Sequence, residues 1–349
     1  RRTGALGRVF VSDPAAEEDS AAGLDLSLDE GQQAVADAVA RFCRDRCPDA
    51  VVRAAAEALP RGLWRELAGL GILAIATPEG DGGAQEVLAA MESLGRAAFP
   101  GPLAETFLAA QLLPETERRA VTAGEALVAA GTPPLVAWAP LADVFVELDG
   151  EAAWLAEPVG AIQAVATLGG EPWGRLALER RRALAGATRA RALGDLALAA
   201  WLAAAGRRLV EDAAAHAQAR RQFGRPIASF QAVSHPLAAA AIDLDAAATL
   251  ARVAAWHWDA GDTRAVGLAA AARLAAASAA PAAARAAHQT FGAQGVTVAG
   301  PAFHVSRRIV QLALGAPGVE RAREVVLAPL GIAPQPGRPS TRGPTSTRA

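Results

Sequence analysis

Leu198, Leu202, Ala205 and Leu209 recur at spacings of four, three and four, and Val233, Leu237, Ala240, Leu244, Ala247 and Ala251 repeat every three or four residues. Those spacings put apolar side chains on one face of a helix. They predict two long helices after about Ala187 and a third following Gly261-Asp262-Thr263. A fourth is expected near Pro281, a residue suited to a first helical turn. Their small, alanine-rich faces allow close antiparallel packing, so residues 186–333 read as a four-helix bundle.

Upstream the pattern differs twice. Ser27-Leu28-Asp29-Glu30 has the form of a capping box, with a helix following to about Arg46. "LWRELAGLGI" predicts another helix stopped by Gly69 and Gly71. "TPEGDGG" is a turn, and Phe99-Pro100-Gly101-Pro102 divides two further helices. Residues 25–120 thus read as a helical N-terminal domain. Residues 121–185 instead carry short apolar runs cut by Pro, Gly and Asp-Gly, the texture of a small β domain. The fold class expected is mainly α with a small β domain in the middle. The segments 1–24 and 334–349 are poor in apolar runs and read as disordered tails.

Composition narrows the partners. The chain has 349 residues, 52% of them apolar, and a net charge of −2. Near-neutrality gives no footprint for nucleic acid or an anionic membrane, and no continuous apolar run reaches the roughly 18 residues of a spanning helix. Every basic side chain is arginine, and tyrosine is absent. Cys43 and Cys47 lie four apart with no nearby histidine, which predicts reduced thiols rather than a metal site and fits a cytoplasmic protein.

Two clusters carry candidate chemistry. In "RRQFGRPIASFQAVSHPLA", Arg220, Gln222 and Phe223 stand at a helix junction. An arginine fork matches phosphate oxygens, a phenyl ring faces a flat ligand, and Gly224 can end a helix. The same arginines would also complement a helix dipole. In "HQTFGAQG", Gln289 closes a helix, and Gly292 and Ala293 sit in a small-residue loop open to phosphate. That loop also reads as an ordinary connection, and it is neither a Walker loop nor a dinucleotide fingerprint.

These clusters, in this order and about seventy residues apart, resemble the acyl-CoA dehydrogenase family. "LWRELAGLGILAIATPEGDGGA" and "ESLGRAAFPGPL" are similar to its N-terminal segments, and the likeness covers roughly residues 25–330. The resemblance implies an FAD flavoprotein that oxidises acyl-CoA thioesters between Cα and Cβ. Arg220, Gln222 and Phe223 would meet the cofactor's pyrophosphate side. Gln289, Gly292 and Ala293, the last where the family usually has glycine, would approach it from an adjacent subunit.

Such chemistry needs a carboxylate to take the Cα proton. The two positions where the family carries it correspond here to Gly315 and Gly194. Asp195 is one helical step of about 100° away, and Glu320 reads as a surface residue. "GTPP" only echoes the family's flavin-ring segment. Three arrangements follow from the resemblance. The chain is a subunit of a hetero-oligomer whose related partner supplies the carboxylate; or a non-catalytic binding subunit; or a homomeric enzyme, dimer or tetramer, with an unrecognised base.

Overall fold

The structure, a computed structural model, describes residues 25–54, 59–315 and 318–332. The two expected tails, 1–24 and 334–349, lie outside those residues. The chain opens with α1 (Glu30–Arg46), α2 (Asp49–Ala54), α3 (Arg61–Gly69), α4 (Ala84–Arg96), α5 (Leu103–Ala110) and α6 (Glu115–Thr122). The capping box of α1 is formed by Asp29 and Gln32, two residues beyond the expected start. The Asp29 carboxylate accepts from Gln32 N at 2.8 Å, and Gln32 Oε1 accepts from Asp29 N at 3.1 Å. Ser27 instead hydrogen-bonds the Asp25 carboxylate, outside the helix.

A single five-stranded sheet follows, from β1 (Val128–Gly131), β2 (Leu135–Ala137), β3 (Val144–Asp149), β4 (Ala152–Val165) and β5 (Trp173–Leu184). Its order is β1-β3-β4-β5-β2, with β1 and β3 parallel and the other pairs antiparallel. Two register irregularities interrupt the long β4–β5 pair. Val128, Val146 and Leu148 pack towards α5 and α6, burying one face of the sheet.

The bundle is built from α7 (Ala187–Ala219), then a small hairpin of β6 (Arg221–Gln222) and β7 (Arg225–Pro226), then α8 (Gln231–Asp259) and α9 (Arg264–Phe291). It closes with α10 (Phe303–Leu314) and α11 (Gly318–Leu327). Pro281 lies inside α9 rather than starting a helix. The proline removes one backbone donor, but Ala276, Ala279, Ala280 and Ala283 are buried around it and hold the helix in place. The fourth bundle helix is therefore α10. Alanine-rich α9 is long and apolar enough to cross a membrane by composition, yet its core face is packed against α7 and α8. At Gly206 a side-chain carbon would sit 2.8 Å from Leu244 and 3.3 Å from the Ala280 Cα, so glycine sets how closely the three helices approach.

Buried polar contacts lock the layers together. Asp259 at the end of α8 accepts from Ala84 N and Gln85 N at 2.6 and 3.1 Å, capping α4 from another helix. Arg308 on α10 donates to the Ala98 and Phe99 carbonyls and pairs with Glu171 at 3.1 Å. One guanidinium thereby joins the bundle, the α4–α5 connection and the turn before β5.

Candidate functional site

The two sequence clusters meet at one end of the bundle. α7 stops at Ala219 with Arg220 as its cap, so the Gly224 expected to end the helix lies beyond it. Phe223 and Gly224, with φ of 52° and 80°, form the two-residue turn of the β6–β7 hairpin. Phe223 is 91% exposed, and its ring stands edge-on to that of Phe230 at 6.1 Å. Arg225 stacks over Phe230 at 4.1 Å. Arg220 is exposed and engages no side-chain partner among the described residues.

α9 ends beside this hairpin, with Phe291 against His216 of α7 at 5.2 Å. Gly292, at φ 60°, turns the chain into a short 3-10 segment through Gln294. Gln289, Gly292 and Ala293 are exposed there. All six expected cofactor residues therefore lie on one rim of the chain. Exposed backbone and a free guanidinium can receive a phosphate.

The second feature is a cleft of about 160 Å³ where α5, the sheet and the bundle meet. Gly194 and Gly315 both line it. A side chain at Gly194 would press on Leu108 Cβ at 3.2 Å, because α5 packs directly on α7 there. Gly315 is different: its φ is −55°, and the nearest atoms to an added carbon are Gln311 O at 3.5 Å and Trp173 at 3.9 Å. That position admits a side chain.

The same cleft gathers charges that sequence reading passed over. Asp195 does line it, paired with Arg321 at 2.8 Å, and burial raises its carboxyl against that arginine. Burial likewise raises Glu171, which Arg308 and Gln311 hold. Glu105 on α5 is pushed up to about 7, chiefly by burial. Arg191 is lowered to about 10, again chiefly by burial, and its Nε has no partner. Arg273 is 2% exposed; one Nη donates to the Leu312 carbonyl at 2.7 Å and the other has no partner. Trp173 also lines the cleft, and its buried indole N–H is unpaired. The only forewarning lay in Glu105, Arg191 and Arg273 breaking otherwise apolar helix faces. Glu320 is exposed on α11, as expected.

Comparison with known proteins decides the family. Residues 187–322 match acyl-CoA dehydrogenase, C-terminal domain, and residues 29–115 match acyl-CoA dehydrogenase, N-terminal domain. IpdE2, an acyl-CoA dehydrogenase of Mycolicibacterium smegmatis, is 32% identical over 60% of this chain and 72% of its own length. The chain belongs to the acyl-CoA dehydrogenase family.

Acyl-CoA dehydrogenase FadE34 of Mycobacterium tuberculosis is 32% identical over 50% of this chain, a match that spans only 29% of that protein. Among solved structures, the ChsE4-ChsE5 complex from Mycobacterium tuberculosis superposes at TM-score 0.74 with 25% identity, covering 89% of this chain and 100% of that one. The FAD complex of PigA shares the fold at TM-score 0.75 and 19% identity, covering 88% and 99%. As a member of that family, the chain has its order of helical, β and helical layers. Gly194 and Gly315, the positions to which the resemblance assigns the proton-abstracting carboxylate, both line the cleft.

Proposed function

We propose that this acyl-CoA dehydrogenase is one subunit of an FAD-dependent hetero-oligomer that dehydrogenates an acyl-CoA thioester between Cα and Cβ. A related partner subunit supplies the catalytic carboxylate. The observation that carries this reading is that Gly194 and Gly315 face one cleft and leave it without a base at either place.

Geometry supports the partner. Arg220 lies 26 residues beyond Gly194 on one continuous helix and its cap, and 26 residues at 1.5 Å each are about 39 Å. The rim of a chain is therefore too far from its own cleft for one cofactor to use both. A rim with unengaged donors is best explained by a cofactor seated mainly on a neighbouring chain.

The residues present fit FAD. The cofactor is FAD, and when bound it accepts the substrate's Cβ hydride. Arg220, with Gln222 and the backbone of Gly292 and Ala293, would hold its pyrophosphate, and Phe223 would cover it from solvent. This chain's part is binding and orientation. Taking the Cα proton requires a carboxylate near the operating pH, and hydrogen-bond donors must meet the thioester oxygen as negative charge builds there.

Glu105 favours a second reading. A cleft carboxyl raised to about 7 has the acidity of a general base, so a homomeric enzyme could use it in place of the family acid. One experiment separates the two. The chain is purified alone and after co-expression with a related subunit bearing the carboxylate, and flavin is counted in each size-exclusion peak. The first reading expects a flavin-poor, inactive lone chain and a mixed oligomer with fewer FAD than chains. One FAD per chain with turnover in the homomeric peak overturns it, and loss of that turnover in Glu105→Gln would then establish the second.

A further inference from the structure

We infer that this chain's own cleft is a binding site for a short aliphatic carboxylate, separate from the flavin site to which its rim contributes. The inference rests on the proposed function above, in which the flavin site is completed between chains. On that reading the rim serves a neighbour's cofactor about 39 Å from this cleft along α7. The cleft is then left for another occupant.

Its charge balance points to an anion. Asp195 is taken by Arg321 and Glu171 by Arg308. Arg273 and Arg191 have no carboxylate within salt-bridge distance among the described residues, and each keeps one guanidinium N–H without an acceptor. Arg273 is 2% exposed and lines the cleft, so its orphaned Nη cannot be satisfied by bulk water. A buried guanidinium N–H left unpaired costs the full desolvation of that group, and a carboxylate is the strongest acceptor it can be given. Glu105 does not fill this role, being uncharged over much of the range below its raised value.

The rest of the wall is apolar. Leu108, Leu135, Val136, Leu148, Leu198 and Leu312 line it. A cavity of about 150 Å³ accommodates a benzene-sized molecule, and this one is about 160 Å³. The occupant that suits size, walls and arginine together is a short alkyl chain ending in a carboxylate, its charge on Arg273 and its tail against the leucines.

Pentanoate is the probe, titrated by calorimetry into the full chain, or into its mixed oligomer where the lone chain aggregates. 1-Pentanol and pentanoyl-CoA serve as comparisons. Pentanoate should bind at least about tenfold more tightly than 1-pentanol, because only it gives the guanidinium a charged acceptor. Arg273→Gln should erase that preference. Gly318→Asp tests the same guanidinium with the arginine kept, from the side of Nη2, which donates to the Leu312 carbonyl, rather than of the orphaned Nη1. An added carbon at Gly318 lies 3.7 Å from the Arg273 Nη2, so the new carboxylate should occupy the guanidinium, abolish pentanoate binding and raise the melting temperature. Equal binding of pentanoate and 1-pentanol, or undiminished pentanoate binding in both variants, overturns the inference. So does Arg273-dependent binding of pentanoyl-CoA without pentanoate, which would return the cleft to the thioester. The flavin count does not depend on Arg273, so failure here leaves the subunit reading standing, and failure of the subunit reading shows in the flavin count.

Discussion

The rim and the cleft of this molecule are built on opposite principles. At the rim, Arg220, Gln222, Phe223, Gln289, Gly292 and Ala293 are exposed, and the local backbone rather than packing sets their positions. In the cleft, the ionisable side chains are buried or half-buried, and most are held by ion pairs or carbonyl contacts. A residue of the first kind can be removed with little effect on folding and a large effect on a ligand. A residue of the second kind holds layers together, so its loss is felt by the fold first. The distinction can be broken experimentally at each end.

The largest effect is expected at Arg308. It neutralises buried Glu171 and donates to two backbone carbonyls across the layers. Arg308→Met leaves that carboxylate buried without its partner, which typically costs about 3 to 5 kcal/mol. A melting temperature lower by roughly 10 °C should follow, with flavin affinity of the folded oligomer unchanged. Arg220→Ala should do the reverse. Losing a desolvated arginine–phosphate pair costs at least about 2 kcal/mol, or about 30-fold in FAD affinity. Flavin fluorescence titration of the mixed oligomer measures it, and the melting curve of the flavin-free protein should not move. Full flavin occupancy in Arg220→Ala would make the rim merely structural.

The rim was legible in sequence for the reason that it is exposed. Its residues are adjacent along the chain, and no packing partner was needed to see them together. The helices were legible too, because α7 and α8 keep a three-and-four apolar spacing throughout. Pro281 misled, since a proline that suits a first turn is also tolerated inside a helix flanked by packed alanines. The cleft was hidden because Glu105, Glu171, Arg191 and Arg273 come from four distant segments. Asp195 was set aside on a rotation about one helix axis, but the cleft is wide enough to take both Gly194 and its neighbour. Gly315 read as a lost acid, and only its φ of −55° shows that the position still admits one.

Glu105 tests the cleft by pH. Burial raises its carboxyl from 4.5 to about 7. The folded chain therefore keeps a proton that the unfolded chain releases as pH rises between those values. The proton-linked stability is fully present below about 4.5, falls as pH climbs to about 7, and is lost above that. Glu105→Gln removes this dependence. The variant should match the parent near pH 4.5 and exceed it at pH 8 by roughly 3 kcal/mol in denaturant unfolding. Equal stability at both pH values would mean that Glu105 is not desolvated. Gly315→Glu should change stability by less than about 1 kcal/mol, as surface and open positions do. In a mixed oligomer with fewer FAD than chains, it should add no turnover, because the cleft it completes is not the one holding flavin. Added turnover would place a flavin at this chain's own cleft.

The smallest effect is the one that separates rim from cleft most cleanly. Phe223 is a large apolar residue, 91% exposed, at a φ of 52°. A side chain in that left-handed region costs on the order of 1 kcal/mol, and a two-residue hairpin turn of this kind favours glycine. Little among the described residues offsets that cost, since the ring is 91% exposed and stands edge-on to Phe230. Phe223→Gly should therefore leave the chain as stable as before or more stable by roughly 0.5 kcal/mol, the relief of φ being partly cancelled by glycine's greater freedom when unfolded. FAD binding to the mixed oligomer should weaken several-fold at the same time, because the ring that covers the cofactor is gone. A gain in stability together with a loss of flavin would show that the strained phenylalanine serves the ligand. A clear loss of stability with flavin affinity unchanged would instead make Phe223 part of the fold and remove it from the site.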